Sequence, residues 1–265
     1  MDSESVRKIK IPMVADVRGN LSFIQSPEQI PFAIGRVLWI YDVPFGKSYD
    51  GEALDGQVIV ALSGSFNVAI SGKEGCHSLS RPYDALYLPP STRYEIVNFS
   101  TNAVALLIDS EDDGEESAES APCREWHSCS LLADCRIVNL NRRLAEFGSI
   151  SAVENDGTNP FAVRRVFYLY DVPADSERGG HSHFVGQEFI VAVSGSFDVI
   201  LDDGKERRTF TLNRPYKALY IPAGIWREIN NFSSGSVCMV LTSTKFAESD
   251  YCREYSKFKE LTKGK

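Results

Sequence analysis

The chain repeats itself. QVIVALSGSFNVAI, starting at Gln57, returns as EFIVAVSGSFDVIL at Glu188, and RPYDALYLP at Arg81 returns as RPYKALYIP at Arg214. Shorter echoes keep the same order: Pro31-Phe32 with Pro160-Phe161, the YDVP at Tyr41 with that at Tyr170, and the CRE at Cys123 with that at Cys252. The offset stays near about 130 residues throughout. Each copy must therefore reach a similar fold, and the chain divides into two domains, 1–130 and 131–265.

Both copies read as β-structure. Short runs of Val, Ile, Phe and Tyr alternate with turn signals such as Ser-Gly-Ser, Asp-Asp-Gly and Pro-Ala-Gly. Many short strands in a copy of this length imply an all-β sandwich or small barrel. A helix is expected only near the C-terminus, from Asp250 to Leu261. The acidic run Asp109–Ser120, an insertion confined to the first copy, is expected to be a solvated loop because its like charges repel.

Charge narrows the partners. A formal net charge of −8 argues against non-specific nucleic-acid binding, which needs a net basic face. It leaves room for an anionic ligand held by a few arginines. No apolar run approaches the roughly 18 residues of a membrane helix, and the N-terminus lacks the apolar core of a signal peptide. The six cysteines form no CxxC pair and are expected to be reduced thiols. Together these features point to a cytoplasmic protein with no nucleic-acid or membrane partner.

Two of the four histidines stand together in Arg178-Gly179-Gly180-His181-Ser182-His183. Residues i and i+2 of a strand share a face, so His181 and His183 aim into one space. There they can serve as base and acid near neutral pH, bind a metal, or form a hydrogen-bonded surface pair. Tyr168 and Tyr170 share a face on the preceding strand, suited to proton relay or to core packing. Arg165, Arg178 and Arg227 can clamp a diphosphate, and each can equally be a solvated charge. Trp226 can stack on a flat ring or fill a barrel mouth. In the first copy, alignment on Ser-Gly-Ser sets Asp50 against His181, Glu52 against His183 and Arg93 against Trp226. That copy is read as a structural partner.

The spacing from His181 and His183 through Glu188 to Gly195 resembles the first metal motif of cupins. The second motif would need a histidine where this chain has Arg227, and a guanidinium does not ligate metals. The second copy further resembles the sugar 3,4-ketoisomerases, the WxcM-like cupins that act on dTDP-4-keto-6-deoxyglucose. The matching pieces are Pro160-Phe161, Arg165-Val166-Phe167-Tyr168, Arg178 to His183, Ser194-Gly195-Ser196, Leu219-Tyr220-Ile221, Trp226-Arg227-Glu228 and Asp250 to Tyr255. The first copy is similar, more faintly, over about Asp16 to Trp126.

The resemblance implies two tandem cupin-type domains (a double-stranded β-helix, or jelly roll), no metal or other cofactor, and a nucleotide-sugar substrate. It implies proton transfer from C3 to C4 through an enediolate, with His181 and His183 as proton carriers assisted by Tyr168. Arg165, Arg178, Glu188, Trp226, Arg227 and Tyr170 would contact substrate. In the family the residue after the tryptophan bears on the C4 configuration of the product, and Arg227 resembles the gluco-type members. Family members are usually homodimers that exchange N-terminal strands. The fused chain would then be an intrachain pseudo-dimer, still able to pair with a second chain, and Arg18 from the first copy would reach the second copy's site.

Three departures stand out. Phe167-Tyr168 replaces a Tyr-Tyr pair, Glu188 replaces a glutamine that the first copy keeps as Gln57, and Phe147-Gly148 replaces the early Arg-Gly that the first copy keeps as Arg18-Gly19. The rival readings are a metal-dependent cupin enzyme using His181, His183 and Glu188, and a non-catalytic binder of nucleotide sugars.

Overall fold

The computed structural model describes residues 5–111 and 130–263. Among these, the regular structure is almost entirely antiparallel β-strand and forms two similar two-sheet units. Neither unit is a contiguous half. The first holds residues 5–14, 22–111 and 140–163, and the second holds 15–21, 130–139 and 164–263. Each unit thus includes a segment from the other repeat.

In the first unit the larger sheet runs Arg7–Lys10, Asp84–Leu88, Gln57–Ser63, Val104–Ser110, Ile34–Tyr41, Gly148–Glu154, Asn141–Ala145. The last two strands come from the second repeat. Ile150 pairs with Ile40, and Ala152 with Leu38. The smaller sheet runs Tyr49–Ala53, Thr92–Val97, Phe66–Ile70, Cys76–Leu79. Alternate residues meet between the sheets in a core that includes Leu38, Ile59, Phe66, Val68, Leu86 and Ile96. Alternation follows from the two-residue period of a strand.

The second unit repeats this plan. Its larger sheet runs Arg136–Asn139, Lys217–Ile221, Glu188–Ser194, Val237–Thr242, Arg165–Tyr170. Its smaller sheet runs Arg207–Leu212, Phe197–Asp202, Trp226–Asn230, Arg178–His183, Tyr251–Cys252. Leu169, Ile190, Leu219 and Val240 from one sheet meet Phe197, Val199, Leu201 and Ile229 from the other. Leu21, from the first repeat, packs on this core.

Two local expectations change. The helix is shorter than Asp250–Leu261. Glu248–Asp250 is a 3-10 turn, Tyr251–Cys252 is a strand paired with Ser182 and His183, and the α-helix covers Tyr255–Leu261. Pairing with the histidine strand satisfies the backbone that the helix would otherwise have used. The acidic run does not begin as a loop. Asp109 and Ser110 end the strand Val104–Ser110, and Asp109 forms an ion pair with Arg36. Residues 112–120 of that run lie outside the described residues. Cys76, Cys135, Cys238 and Cys252 are free thiols. No helix among the described residues is long and apolar enough to cross a membrane.

Candidate functional site

The site lies at one end of the second unit's core, and strand register builds it. Glu188, Thr242 and Arg165 are direct partners across three neighbouring strands, so they share one face. The next rows on that face are Ile190, Val240, Phe167, then Ala192, Cys238, Leu169, all packed in or against the core. Arg165 and Glu188 therefore extend the interior face into a polar end. Both are buried.

Tyr168 and Tyr170 do not join them. Tyr168 is in register with Met239, which pairs with Val191, on the opposite face of the sheet. Its ring lies 6.0 Å from that of Tyr170. The expectation that these phenols flank the histidines fails on strand parity, because successive residues point to opposite sides. The inward position belongs to Phe167, which has no hydroxyl.

On the facing sheet His181 pairs with Arg227. A bulge at Gly179 and Gly180 makes this register possible, with φ of 82° and 68°. A side chain at Gly179 would lie 2.7 Å from the Arg227 carbonyl oxygen. Past the bulge, His183 pairs with Tyr251. Trp226 faces the other way. It packs with Cys252 and Phe258 and donates from Nε1 to Glu228 at 2.9 Å, so it clamps the C-terminal helix rather than lining the histidine face.

His183 is held at both nitrogens. Nδ1 lies 3.0 Å from an Asp250 carboxylate oxygen, and Nε2 lies 3.1 Å from Glu188 Oε1. Carboxylate oxygens accept, so the ring can donate to either neighbour, and both of its nitrogens are engaged. Asp250 also accepts from the backbone N–H groups of Val185 and Gly186. Burial pushes its carboxyl up, but the His183 hydrogen bond and charge and these N–H groups together hold it below its usual range. Burial likewise opposes ionisation of Glu188, and the Arg227 and His183 charges overcome it, leaving the carboxyl strongly lowered.

Arg227 is fully buried, with Nε 3.3 Å from Glu188 Oε2. That contact is an ion pair without hydrogen-bond alignment. Each guanidinium nitrogen keeps its hydrogens unpaired among the described residues. His181 and Arg165 are also incompletely partnered: His181 Nδ1 and Arg165 Nε are buried and make no hydrogen bond among the described residues. For His181 the unpaired atom is a ring nitrogen. Burial, then Arg227, then His183 drive its pKa well below the ordinary imidazole value of 6.5. At neutral pH it is an uncharged base among cations.

Tyr251 was not singled out by the sequence as a site residue. Its ring centroid is 5.1 Å from that of His181 and 4.3 Å from that of His183. Arg165 Nη2 donates to its hydroxyl at 3.1 Å. Burial raises the phenol's pKa, and Arg165 partly opposes this. The C-terminal repeat echo begins at Cys252, one residue beyond it, and nothing in sequence marked the strand that brings Tyr251 to the histidines.

Arg178 and Arg18 lie at the segment taken from the first repeat. Arg178 Nη1 donates to the Gly19 carbonyl at 3.1 Å and lies 4.0 Å from Asp16. Arg18 is exposed and binds Asp16 through two nitrogens, at 3.0 and 2.7 Å. The two arginines thus share Asp16 within the second unit.

The ligand atoms of His181, His183 and Glu188 lie within 4.8 Å of one another, a spacing a metal ion could use. The donor set does not fit one. Both Glu188 oxygens already face cations, and the Arg227 guanidinium takes the place where a further histidine ligand would stand.

The first unit keeps an arginine, Arg36, in the row where the second has Arg165, but differs at the histidine positions. Gly51 pairs with Tyr94, whose place in the ladder corresponds to that of Arg227. Gly51 and Ala53 therefore stand where His181 and His183 stand, and a side chain at Gly51 would run into the Tyr94 ring. Asp50 and Glu52, aligned with the histidines in sequence, face outward and are exposed. The loop after the histidines, 184–187, is one residue longer than its counterpart 54–56, a difference that linear alignment on Ser-Gly-Ser does not register.

A family model described as FdtA, WxcM-like, C-terminal matches residues 4–117 and 133–263. The TDP-4-oxo-6-deoxy-alpha-D-glucose-3,4-oxoisomerase of Aneurinibacillus thermoaerophilus is 37% identical over 125 residues, covering 47% of this chain and 90% of that protein. A 3,4-ketoisomerase from Helicobacter canadensis is 35% identical with a TM-score of 0.47, covering 49% of this chain and 97% of its own. The sugar 3,4-ketoisomerase QdtA from Thermoanaerobacterium thermosaccharolyticum, solved with TDP, is 30% identical with a TM-score of 0.49, covering 51% and 98%.

Proposed function

The chain belongs to the FdtA family of WxcM-like, C-terminal domains, and on that premise we propose that it is a nucleotide-sugar 3,4-ketoisomerase with one working site, in the second unit. The substrate is a dTDP-4-keto-6-deoxyglucose-type sugar, the kind of compound named for the Aneurinibacillus relative. The product is its 3-keto isomer. Each unit is read as a closed jelly roll, and the two repeats, 1–130 and 131–265, as a fused pseudo-dimer.

The observation that carries the reading is His181: a neutral imidazole with a free buried Nδ1, set against Arg227, whose hydrogens are unpaired. A base takes the C3 proton, which the neighbouring C4 ketone acidifies. The enediolate that forms is anionic, and Arg227 and Arg165 supply donors and charge for its oxygens. His183, fixed between Asp250 and Glu188, has both ring nitrogens engaged and offers neither to the substrate. Arg178 and Arg18 are suited to the diphosphate. No step in this scheme uses a metal, in keeping with the Arg227–Glu188 pair.

Incubating chelator-treated protein with dTDP-4-keto-6-deoxyglucose and identifying the sugar by NMR tests the reading. A 3-keto product supports it. Tight binding without conversion would favour a binding protein, and conversion only after adding a divalent ion would favour a metal enzyme.

A further inference from the structure

We propose that Tyr251 is the acid–base phenol of this site, giving a proton to one substrate oxygen and recovering it from the other. The assignment rests on the isomerase reading and deepens it. Shifting a ketone from C4 to C3 moves two protons, one between carbons and one between oxygens. His181 accounts for the carbon proton. A second group must serve O4 and O3, and the candidates on this face are few. Phe167 has no hydroxyl, Tyr168 lies on the opposite face of its sheet, and both nitrogens of His183 are committed to carboxylates.

Tyr251 is on the right face. Backbone pairing sets it opposite His183, and its ring borders both imidazoles. The Arg165 guanidinium bonds its hydroxyl oxygen and leaves the phenolic hydrogen free to be donated. The same guanidinium stabilises the phenolate once the proton has left. Arg165 is itself held in place, 5.3 Å over the Phe167 ring and 5.6 Å over that of Phe246.

The step balances. His181 takes the C3 proton, and the Tyr251 phenol then protonates O4 of the enediolate, which leaves an enediol, an imidazolium and a phenolate. The O3 hydroxyl then returns a proton to the phenolate while His181 delivers its proton to C4. The C4 ketone has become a hydroxyl, C3 carries the ketone, and the protein is unchanged.

Tyr251→Phe keeps the ring and removes only the hydroxyl. It should lower kcat by about 100-fold or more, leave TDP affinity within about twofold of the wild type, and abolish the alkaline limb of the kcat profile. An active wild type with Tyr251→Phe within about threefold of its rate would overturn the assignment alone. So would a variant that loses TDP binding in step with turnover, since that marks a structural role. A wild-type protein that moves no proton would overturn the isomerase reading and this assignment with it.

Discussion

Tyr251 stands directly across the backbone ladder from His183, and their rings meet edge to face with centroids 4.3 Å apart. The neighbouring residue, Asp250, bonds the same imidazole from the side. A short C-terminal strand therefore does two jobs: it fixes one histidine and brings a phenol to the other. The chemistry proposed for the site depends on that strand as much as on the histidine motif.

Asp250→Asn tests the fixing role. The amide can still accept from Val185 and Gly186, but it no longer offers a charge to His183 Nδ1. The expected result is a fall in kcat of about 10- to 100-fold with TDP affinity kept. Steady-state kinetics beside calorimetry reads both, and an unchanged kcat would mean that Asp250 serves only the loop.

Glu188 should leave a mark on acid stability. Its folded pKa lies below its ordinary value of 4.5, so its contribution is complete above that pH and is lost as pH falls through the folded value. Glu188→Gln leaves Arg227 and His183 without that counter-charge and should cost about 3 kcal/mol at pH 7. The gap between wild type and variant should narrow as pH drops below 4.5. Urea unfolding at pH 7 and pH 4 checks it, and parallel losses in both proteins would count against the buried pairing.

Arg18 belongs to the first repeat but to the second structural unit. If it helps hold the diphosphate, Arg18→Ala should weaken TDP binding by about tenfold, the scale of one charge-assisted contact. Calorimetry with TDP decides this, and unchanged affinity would leave Arg18 as a surface partner of Asp16.

Much of this was legible in sequence because the repeat exposed it. The all-β character follows from strand periodicity; an exchange of N-terminal strands was expected only from the family resemblance. The inward aim of His181 and His183 was also predictable from i, i+2 spacing. Strand parity relative to the core was not. Whether Phe167 or Tyr168 faces inward depends on pairing with Val240 and Met239, which are far away in sequence. The extra residue in the loop 184–187 hid the true counterparts of the histidines, Gly51 and Ala53, because a linear alignment counts one residue for one. Asp250 and Tyr251 were missed for a related reason. The segment reads as the start of a helix, and only the backbone bonds offered by Ser182 and His183 make it a strand.

The central claim is that His181 is the base of a 3,4-ketoisomerase. Proton NMR of the protein with dTDP-4-keto-6-deoxyglucose in heavy water tests it most directly, with His181→Asn alongside. The account predicts loss of the C3 proton signal and growth of a 3-keto product in the wild type, with neither in the variant. Exchange that persists in His181→Asn, or a wild type that binds the sugar and exchanges nothing, would contradict it.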